Sequence, residues 1–451
     1  MRINASIPIH RGMEKLDKDA FRKSIDVLAA EVAPATTHNL LKAPEMRGVI
    51  IDLPKIKSVV PAPEGKRLVL TRFTDESDLS LETKQYLESQ SAKLVNHTIN
   101  LDYDYWTADD ILSSILPAEL VEGAPSGYAM VGHIAHLNLN DEYLPYKYII
   151  GQAILDASKN AGIKTVVNKL DSISNQFRVF KMELLAGEPN YVVEHHEADC
   201  RFTFDFSEVY WNSRLHTEHS RLVEQFKPED VVADVFAGVG PFAIPAAKKG
   251  CGVFANDLNP NSFKYLSKNI TDNRVHQLVR ASCEDGRDFI RRVVSRALAD
   301  PLPSPEAAVS KTQVLKAEKA ARKLSQLGQL PPKLEVHQPK RSRITQFVMN
   351  LPDSAITFLD AFRGVLSPEN NDGRDLSGLY KAADLPMVNC YCFTRELEIE
   401  RAEKDIRERV EEKIGHPLGG DVSLHYVRSV APTKEMYCIS FRLPGEVAFG
   451  S

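Results

Sequence analysis

Hydrophobic and polar positions alternate with different periods along the chain, and the change of period divides it. In the first part, Arg67-Leu68-Val69-Leu70-Thr71 alternates as a strand does, and Ser80 to Ala92 suits a helix with polar faces. Tyr128 to Leu139 reads as a strand. Tyr146 to Ala161 reads as a helix with Ile149, Ile150, Ala153, Ile154 and Ala157 on one face, closed by Gly162. A strand at Thr165-Val166-Val167 completes a small α+β module. Two alternating runs, Tyr191 to Glu194 and Arg201 to Phe206, predict an antiparallel hairpin leading into a helix near Thr217 to Phe226.

From Val231 the period switches repeatedly between two and 3.6. Strands are expected at 231–236, 252–255, 278–281 and 347–349, with helices at 241–249 and 260–273, the second opened by Pro260. Further strands at 387–393, 422–430 and 436–441 surround a charged helix at 395–413. Strands separated by helices of this length imply a parallel sheet with helices on both faces, so the fold class is α/β. The alternation breaks between Ala299 and Arg343, where prolines cluster and Lys311 to Arg343 holds nine Lys or Arg against two Glu. This reads as a solvated basic insertion, either a tolerated surface loop or an arm that touches phosphates. No internal repeats are visible. The expected division is 1–120, a small α+β domain at 121–188, and an α/β domain at 189–451 that carries the insertion.

Composition changes little. The chain has 451 residues, 43% apolar and 26% charged, with a net charge of −5. That excludes global disorder and wholesale coating of a polyanion, yet leaves room for a local basic groove. No apolar run is long enough to span a membrane as a helix. The six cysteines form no CxxC pair, so thiols are expected rather than a disulfide framework or a metal site. His195-His196 lies in an alternating strand, which sends the two rings to opposite faces and argues against a shared metal. Acidic residues interrupt the basic groups of the first 30 positions, so a transit peptide is weakly supported.

Candidate chemistry sits where a strand meets a helix. Asp234-Val235-Phe236-Ala237-Gly238-Val239-Gly240-Pro241-Phe242-Ala243 follows a strand and opens a helix, with Ala243 at the third position of G-x-G-x-x-A. Asp257 ends the next strand, where a carboxylate reaches a ribose hydroxyl. Together they suggest a nucleoside-type ligand, the alternative being a purely structural turn. Pro241 removes a backbone donor from the helix start, and Asp234 repels phosphate while welcoming an ammonium group. Both favour S-adenosylmethionine over a dinucleotide. Asp285-Gly286, after the third strand, is where adenine would lie, although Asp285 could simply cap a helix. Asn350-Leu351-Pro352-Asp353 ends the fourth strand, and an amide there can pair with a nucleobase edge. It could also be an ordinary Asn-x-Pro turn.

These residues, with Phe177-Arg178, the run Val209 to His219, Ala255 to Pro260 and Met349 to Pro352, resemble the archaeal and eukaryotic tRNA (guanine-37-N1)-methyltransferases. The resemblance spans about 125–450 and is loose over the first 120 residues. It implies a class I, Rossmann-like methyltransferase domain preceded by smaller tRNA-binding domains, acting with S-adenosylmethionine on tRNA with guanine at position 37. Glu218 would be the general base and Arg178 would address guanine O6. Asn350 would lie near the base and the methionine moiety, Pro352 would shape the turn, and Tyr210 would support the pocket. Cofactor contacts would fall to His219, Phe236, Gly238, Gly240, Asp257, Leu258, Asp285 and Gly286. Archaeal members carry Arg at the place of His219. Phosphate contacts are expected from Lys164, Lys169, Lys181 and the insertion. The resemblance also suggests a monomer distributed among cytoplasm, nucleus and mitochondrial matrix.

Each assignment has a plainer reading. Glu218 suits a helix N-terminus for dipole reasons alone. Arg178 could cap a neighbouring carboxylate, and Tyr210 and Trp211 could be core aromatics. At the level of function, the alternatives are an aminocarboxypropyl transferase of the wybutosine pathway, a non-catalytic RNA-binding protein, and an NAD-dependent oxidoreductase.

Overall fold

A computed structural model describes residues 3–158, 162–170, 177–304 and 340–450. The chain divides into two compact units, one of residues 1–170 and 182–190, the other of residues 171–181 and 191–451.

The smaller unit holds two four-stranded sheets. The first comprises β1 (Lys23–Val32), β2 (Val59–Pro61), β3 (Arg67–Leu70) and β4 (Lys93–Leu101), in the order β2-β3-β1-β4 and antiparallel throughout. The helices α1 (Pro34–Lys42) and α2 (Leu81–Ser89) accompany it, and the Ser80 side chain caps α2 by accepting from the Thr83 N–H. Next come α3 (Ala108–Ile115) and α4 (Ala118–Val121). The second sheet is β5 (Ala129–Val131), β6 (Ile134–Leu137), β7 (Thr165–Leu170) and β8 (Lys181–Gly187), in chain order, with α5 (Lys147–Ala157) between β6 and β7. The single strand expected over 128–139 is therefore two, folded back at Gly132-His133 so that Val131 pairs with Ile134. Both sheets contribute to one core, in which Ile25 and Leu70 join Ile111, Ile150, Val166 and Leu185.

In the larger unit a hairpin, β9 (Val192–Glu197) and β10 (Cys200–Asp205), is followed by α6 (His216–Gln225). Its main sheet takes β11 (Val231–Asp234), β12 (Gly252–Asn256), β13 (Val279–Ser282), β16 (Gln346–Met349), β17 (Met387–Thr394), β18 (Val422–Ala431) and β19 (Lys434–Arg442), interrupted in sequence by the two-residue strands β14 (Leu302–Pro303) and β15 (Lys340–Arg341). The spatial order is β13-β12-β11-β16-β17-β19-β18. The first five strands are parallel and β19 runs antiparallel to both neighbours. Chain order reverses beside β11, so the carboxyl ends of β11 and β16 open a crevice for a ligand. The connecting helices are α7 (Ala243–Lys249), α8 (Pro260–Asp272) and α9 (Gly286–Ala299). Helix α7 starts two residues later than expected, because Gly240 to Phe242 form a turn ahead of it. The charged helix Ile399–Ile414 buries Ala402, Ile406, Val410 and Ile414 on one stripe against the sheet core.

The basic insertion falls largely within 305–339, outside the described residues. Its two ends are joined by the pairing of Leu302 with Arg341 and Pro303 with Lys340. All six cysteines are free thiols, with Cys283 alone exposed. Among the described residues no helix is long and apolar enough to cross a membrane.

Candidate active site

Strand β11 is buried along its whole length and delivers Asp234 to the carboxyl edge of the sheet with no exposed surface. Neither carboxylate oxygen has a hydrogen bond of good geometry. Burial, and secondarily the charge of Asp257, hold its pKa well above the usual carboxylate range, and the Phe236 backbone N–H offsets this only in part. An orphaned buried carboxylate of this kind calls for a cation.

The glycine loop that follows is fixed from three sides. The Ala237 N–H donates to the Asn256 carbonyl at 2.7 Å, Asp257 Oδ2 accepts from the Gly238 N–H at 2.8 Å, and Asn269 Nδ2 donates to the Val239 carbonyl at 3.1 Å. Gly238 and Gly240 have φ of +55° and +104°, which side chains disfavour. Open space lies where a Gly238 Cβ would stand, so a ligand can come against the backbone there. Asp257 also accepts from the Asn259 N–H at 2.9 Å, and burial raises its pKa as well. Leu258 beside it is exposed at 36%.

Asn256 ties the strand ends together. Its amide donates to the Val235 and Glu284 carbonyls at 3.2 and 3.0 Å, and its Oδ1 accepts from Ser282 Oγ and the Glu284 N–H. Asp285 caps α9 by accepting from the Arg287 N–H at 2.8 Å, as its plainer reading held. Gly286 lies so close to Phe236 and Phe358 that a Cβ would stand 2.8 and 3.2 Å from their rings. Those rings meet edge to face at 5.0 Å, with the Arg287 guanidinium 4.4 Å above Phe358. Together they make an aromatic wall beside Gly286.

At the end of β16, Asn350 Oδ1 is buried without a partner. Arg178 reaches the same turn and donates to Asp353 Oδ2 at 2.9 Å and to Ser354 Oγ at 3.4 Å. Its own backbone has φ +57°, an uncommon conformation for a side-chain-bearing residue. So Arg178 does cap a carboxylate, and that contact brings it to the Asn350–Pro352 turn. Tyr210 is 41% exposed and stacks on Phe180 with centroids 6.4 Å apart. The charges of Arg178 and Arg428 both bear on its hydroxyl. Trp211, by contrast, is a core aromatic packed against Phe202 and Phe204.

Glu218, on the first turn of α6, is buried among side chains that the sequence did not single out. Arg221 grips it with Nε on Oε2 at 2.7 Å and a second nitrogen on Oε1 at 2.6 Å. The Tyr391 hydroxyl donates to Oε1 at 2.7 Å, and His425 Nε2 stands 3.4 Å from Oε2. His219 pairs through Nδ1 with Glu197 at 2.6 Å and meets Phe242 edge to face. Phe242 in turn faces Tyr391 at 5.7 Å, so a continuous row of rings links His219 to the surroundings of Glu218. Among the described residues no side-chain hydrogen bond or ion pair joins Glu218 directly to Arg178 or Asn350. The orphaned Asp234 and Asn350, the open Gly238 and the wall at Gly286 fit a ligand with a cationic end, a ribose and an adenine.

Numbered in chain order within the main sheet, the strands stand 3-2-1-4-5-7-6 with the seventh reversed, and a glycine loop follows the first. That fold and site define a class I S-adenosylmethionine-dependent methyltransferase. Residues 193–304 match the TRM5/TYW2 methyltransferase domain, and residues 108–190 match the TYW2 N-terminal domain. The tRNA (guanine(37)-N(1))-methyltransferase of Coprinopsis cinerea is 57% identical across 99% of this chain and 98% of its own, and that of Schizosaccharomyces pombe is 44% identical across 97% and 95%. The chain belongs to the tRNA (guanine(37)-N(1))-methyltransferase family. In fold it is similar to Trm5b from Pyrococcus abyssi, at 23% identity and a TM-score of 0.56, over 92% of this chain and 99% of that one. It is also similar to aTrm5 solved in complex with tRNALeu, at 20% identity and a TM-score of 0.59, over 92% and 100%.

Proposed function

We propose that the protein methylates N1 of guanine 37 in tRNA, with Glu218 accepting the N1 proton and Arg178 holding the charge that develops on O6. The observation that carries this reading is the Arg178–Asp353 contact, which holds a guanidinium on the turn that follows Asn350 at the end of β16. Bound S-adenosylmethionine supplies a methyl group made electrophilic by its sulfonium.

The chain's residues do the rest. Guanine N1 carries a proton at neutral pH, so its lone pair is unavailable until a base removes that proton. Electron density then moves towards O6, where a charge-assisted hydrogen bond from Arg178 favours the anion. Arg178 exchanges Asp353 for the base edge when the nucleotide enters. Asn350, with an acceptor free, orients the purine amide edge, and Pro352 fixes the turn that carries it. Tyr210, exposed beside Arg178, offers a stacking face to a base taken out of the anticodon loop. Asp257 takes the ribose, Asp234 balances the cationic end, and Phe236 with Gly286 borders the adenine. The smaller unit holds the tRNA outside the anticodon loop, and a single chain suffices for the reaction.

The test is methyl incorporation from labelled S-adenosylmethionine into two tRNA transcripts that differ only in G37 or A37, with the product nucleoside identified. Label appearing as 1-methylguanosine in the G37 transcript alone is expected. Transfer of the aminocarboxypropyl arm, or label in neither transcript, would refute the proposal.

A further inference from the structure

A base buried from solvent must exchange its proton with something. The Glu218 side chain is 4% exposed. A carboxylate offers about four lone-pair sites, and here Arg221 fills one on each oxygen while Tyr391 fills the second on Oε1. The remaining site, on Oε2, faces His425 Nε2 at 3.4 Å, longer than a closed hydrogen bond but within reach of a small side-chain shift. His425 itself is 45% exposed.

The sheet register makes this placement deliberate. Tyr391 pairs with Cys438, and Cys438 with His425, so the three form one row across β17, β19 and β18. Neighbours in such a row project to the same face, and Glu218 from α6 lies against them. The charged and titratable groups around His425 are therefore Glu218 and Arg221 from α6, Tyr391 from β17 and Cys438 from β19. Tyr391 and Cys438 are both pushed up by burial, Cys438 to about 12, and neither gives up its proton near neutrality. Arg221 is held protonated by Glu218. His425 is the one imidazole of this set. Burial and the Arg221 charge lower its pKa, which leaves it neutral and able to accept.

We propose that His425 is the proton port of Glu218, carrying to water the proton that this carboxylate takes from guanine N1. The N1–H bond breaks as an O–H bond to Glu218 Oε2 forms, and Oε2 gives that proton to His425 Nε2 while Nδ1 releases its own to solvent. Exchange of the exposed ring with water then restores the starting tautomer, with Nε2 free to accept again. No other reactant is consumed. This inference rests on the assignment of Glu218 as proton acceptor.

The experiment uses the full chain with saturating labelled S-adenosylmethionine and a G37 transcript, followed in single turnovers across pH. His425→Ala is expected to slow methyl transfer about 100-fold, in the range of general acid–base effects. Affinities for tRNA and cofactor should stay within about twofold, since the side chain serves proton transfer rather than binding. Added imidazole should restore part of the rate, and the acid limb of the wild-type profile should vanish in the variant. Glu218→Gln, run in parallel, should be slow and unmoved by imidazole. His425→Ala at the wild-type rate beside a slow Glu218→Gln would overturn the port. So would a slow His425→Ala explained by weak tRNA binding and indifferent to imidazole. Glu218→Gln at the wild-type rate would instead overturn the underlying assignment.

Discussion

Removing Arg221 tests how tightly the environment of Glu218 is balanced. The pair is bidentate, at 2.6 and 2.7 Å, with Arg221 only 25% exposed and Glu218 4%. Arg221→Met keeps most of the stem volume but leaves a buried carboxylate with the Tyr391 hydroxyl as its one close donor. Breaking one side of a buried pair costs about 3–5 kcal/mol, chiefly because the surviving charge stays desolvated. Glu218→Gln should cost less, about 1–2 kcal/mol, since Arg221 can turn its head towards water. The double variant removes the stranded charge, so its loss should fall well short of the sum, with a coupling of about 2–3 kcal/mol. Urea unfolding of the four proteins, with midpoints and slopes compared, measures that cycle. A loss below about 1 kcal/mol for Arg221→Met, or strict additivity, would refute the claim that Glu218 is held as a buried, arginine-compensated charge.

Other expectations follow from the cofactor side. Asp257→Ala should weaken S-adenosylmethionine binding by about 10–100-fold in calorimetry, the value of one or two charge-assisted hydrogen bonds to a ribose; unchanged affinity would misplace the ribose. Gly286→Ala drives a methyl to within 2.8 Å of the Phe236 ring, so about 1–3 kcal/mol of stability and a share of cofactor affinity should be lost together. Asp234 has a folded pKa raised by burial, so the stability it lends is complete below its unfolded pKa and is lost as pH rises through the folded one. Asp234→Asn should therefore gain stability relative to wild type as pH rises in cofactor-free protein. In the wild type, cofactor binding should release protons, detectable as a heat that depends on the buffer; its absence would show that no cation meets Asp234.

The glycine loop, Asp257 and the Asn350 turn were legible because each lies within a few residues of a strand end, where the α/β pattern itself places ligands. The partners of Glu218 were not. Tyr391 lies 173 positions away, and only the register of β17, β19 and β18 brings it and His425 over α6. Asp353 stands 175 positions from Arg178, so the capping alternative could be named but not its carboxylate. Strand β1 escaped notice because Val27 to Ala30 are all buried and give a continuous run instead of an alternation. Helix α3 did carry a local signal, the reciprocal capping of Thr107 and Asp110, which pattern reading could have used.

Residues 177–180 belong to the larger unit, although the chain on both sides of them builds adjacent strands, β7 and β8, of the smaller one. The arginine assigned to O6 is thus encoded within the gene segment of its neighbour. A polypeptide begun at Tyr191 would retain every strand of the seven-stranded sheet and the glycine loop, and would still lack Arg178. Cofactor capture and chemistry on guanine could then be inherited separately, and shuffling residues 191–451 alone onto another RNA-binding partner would transmit the first without the second.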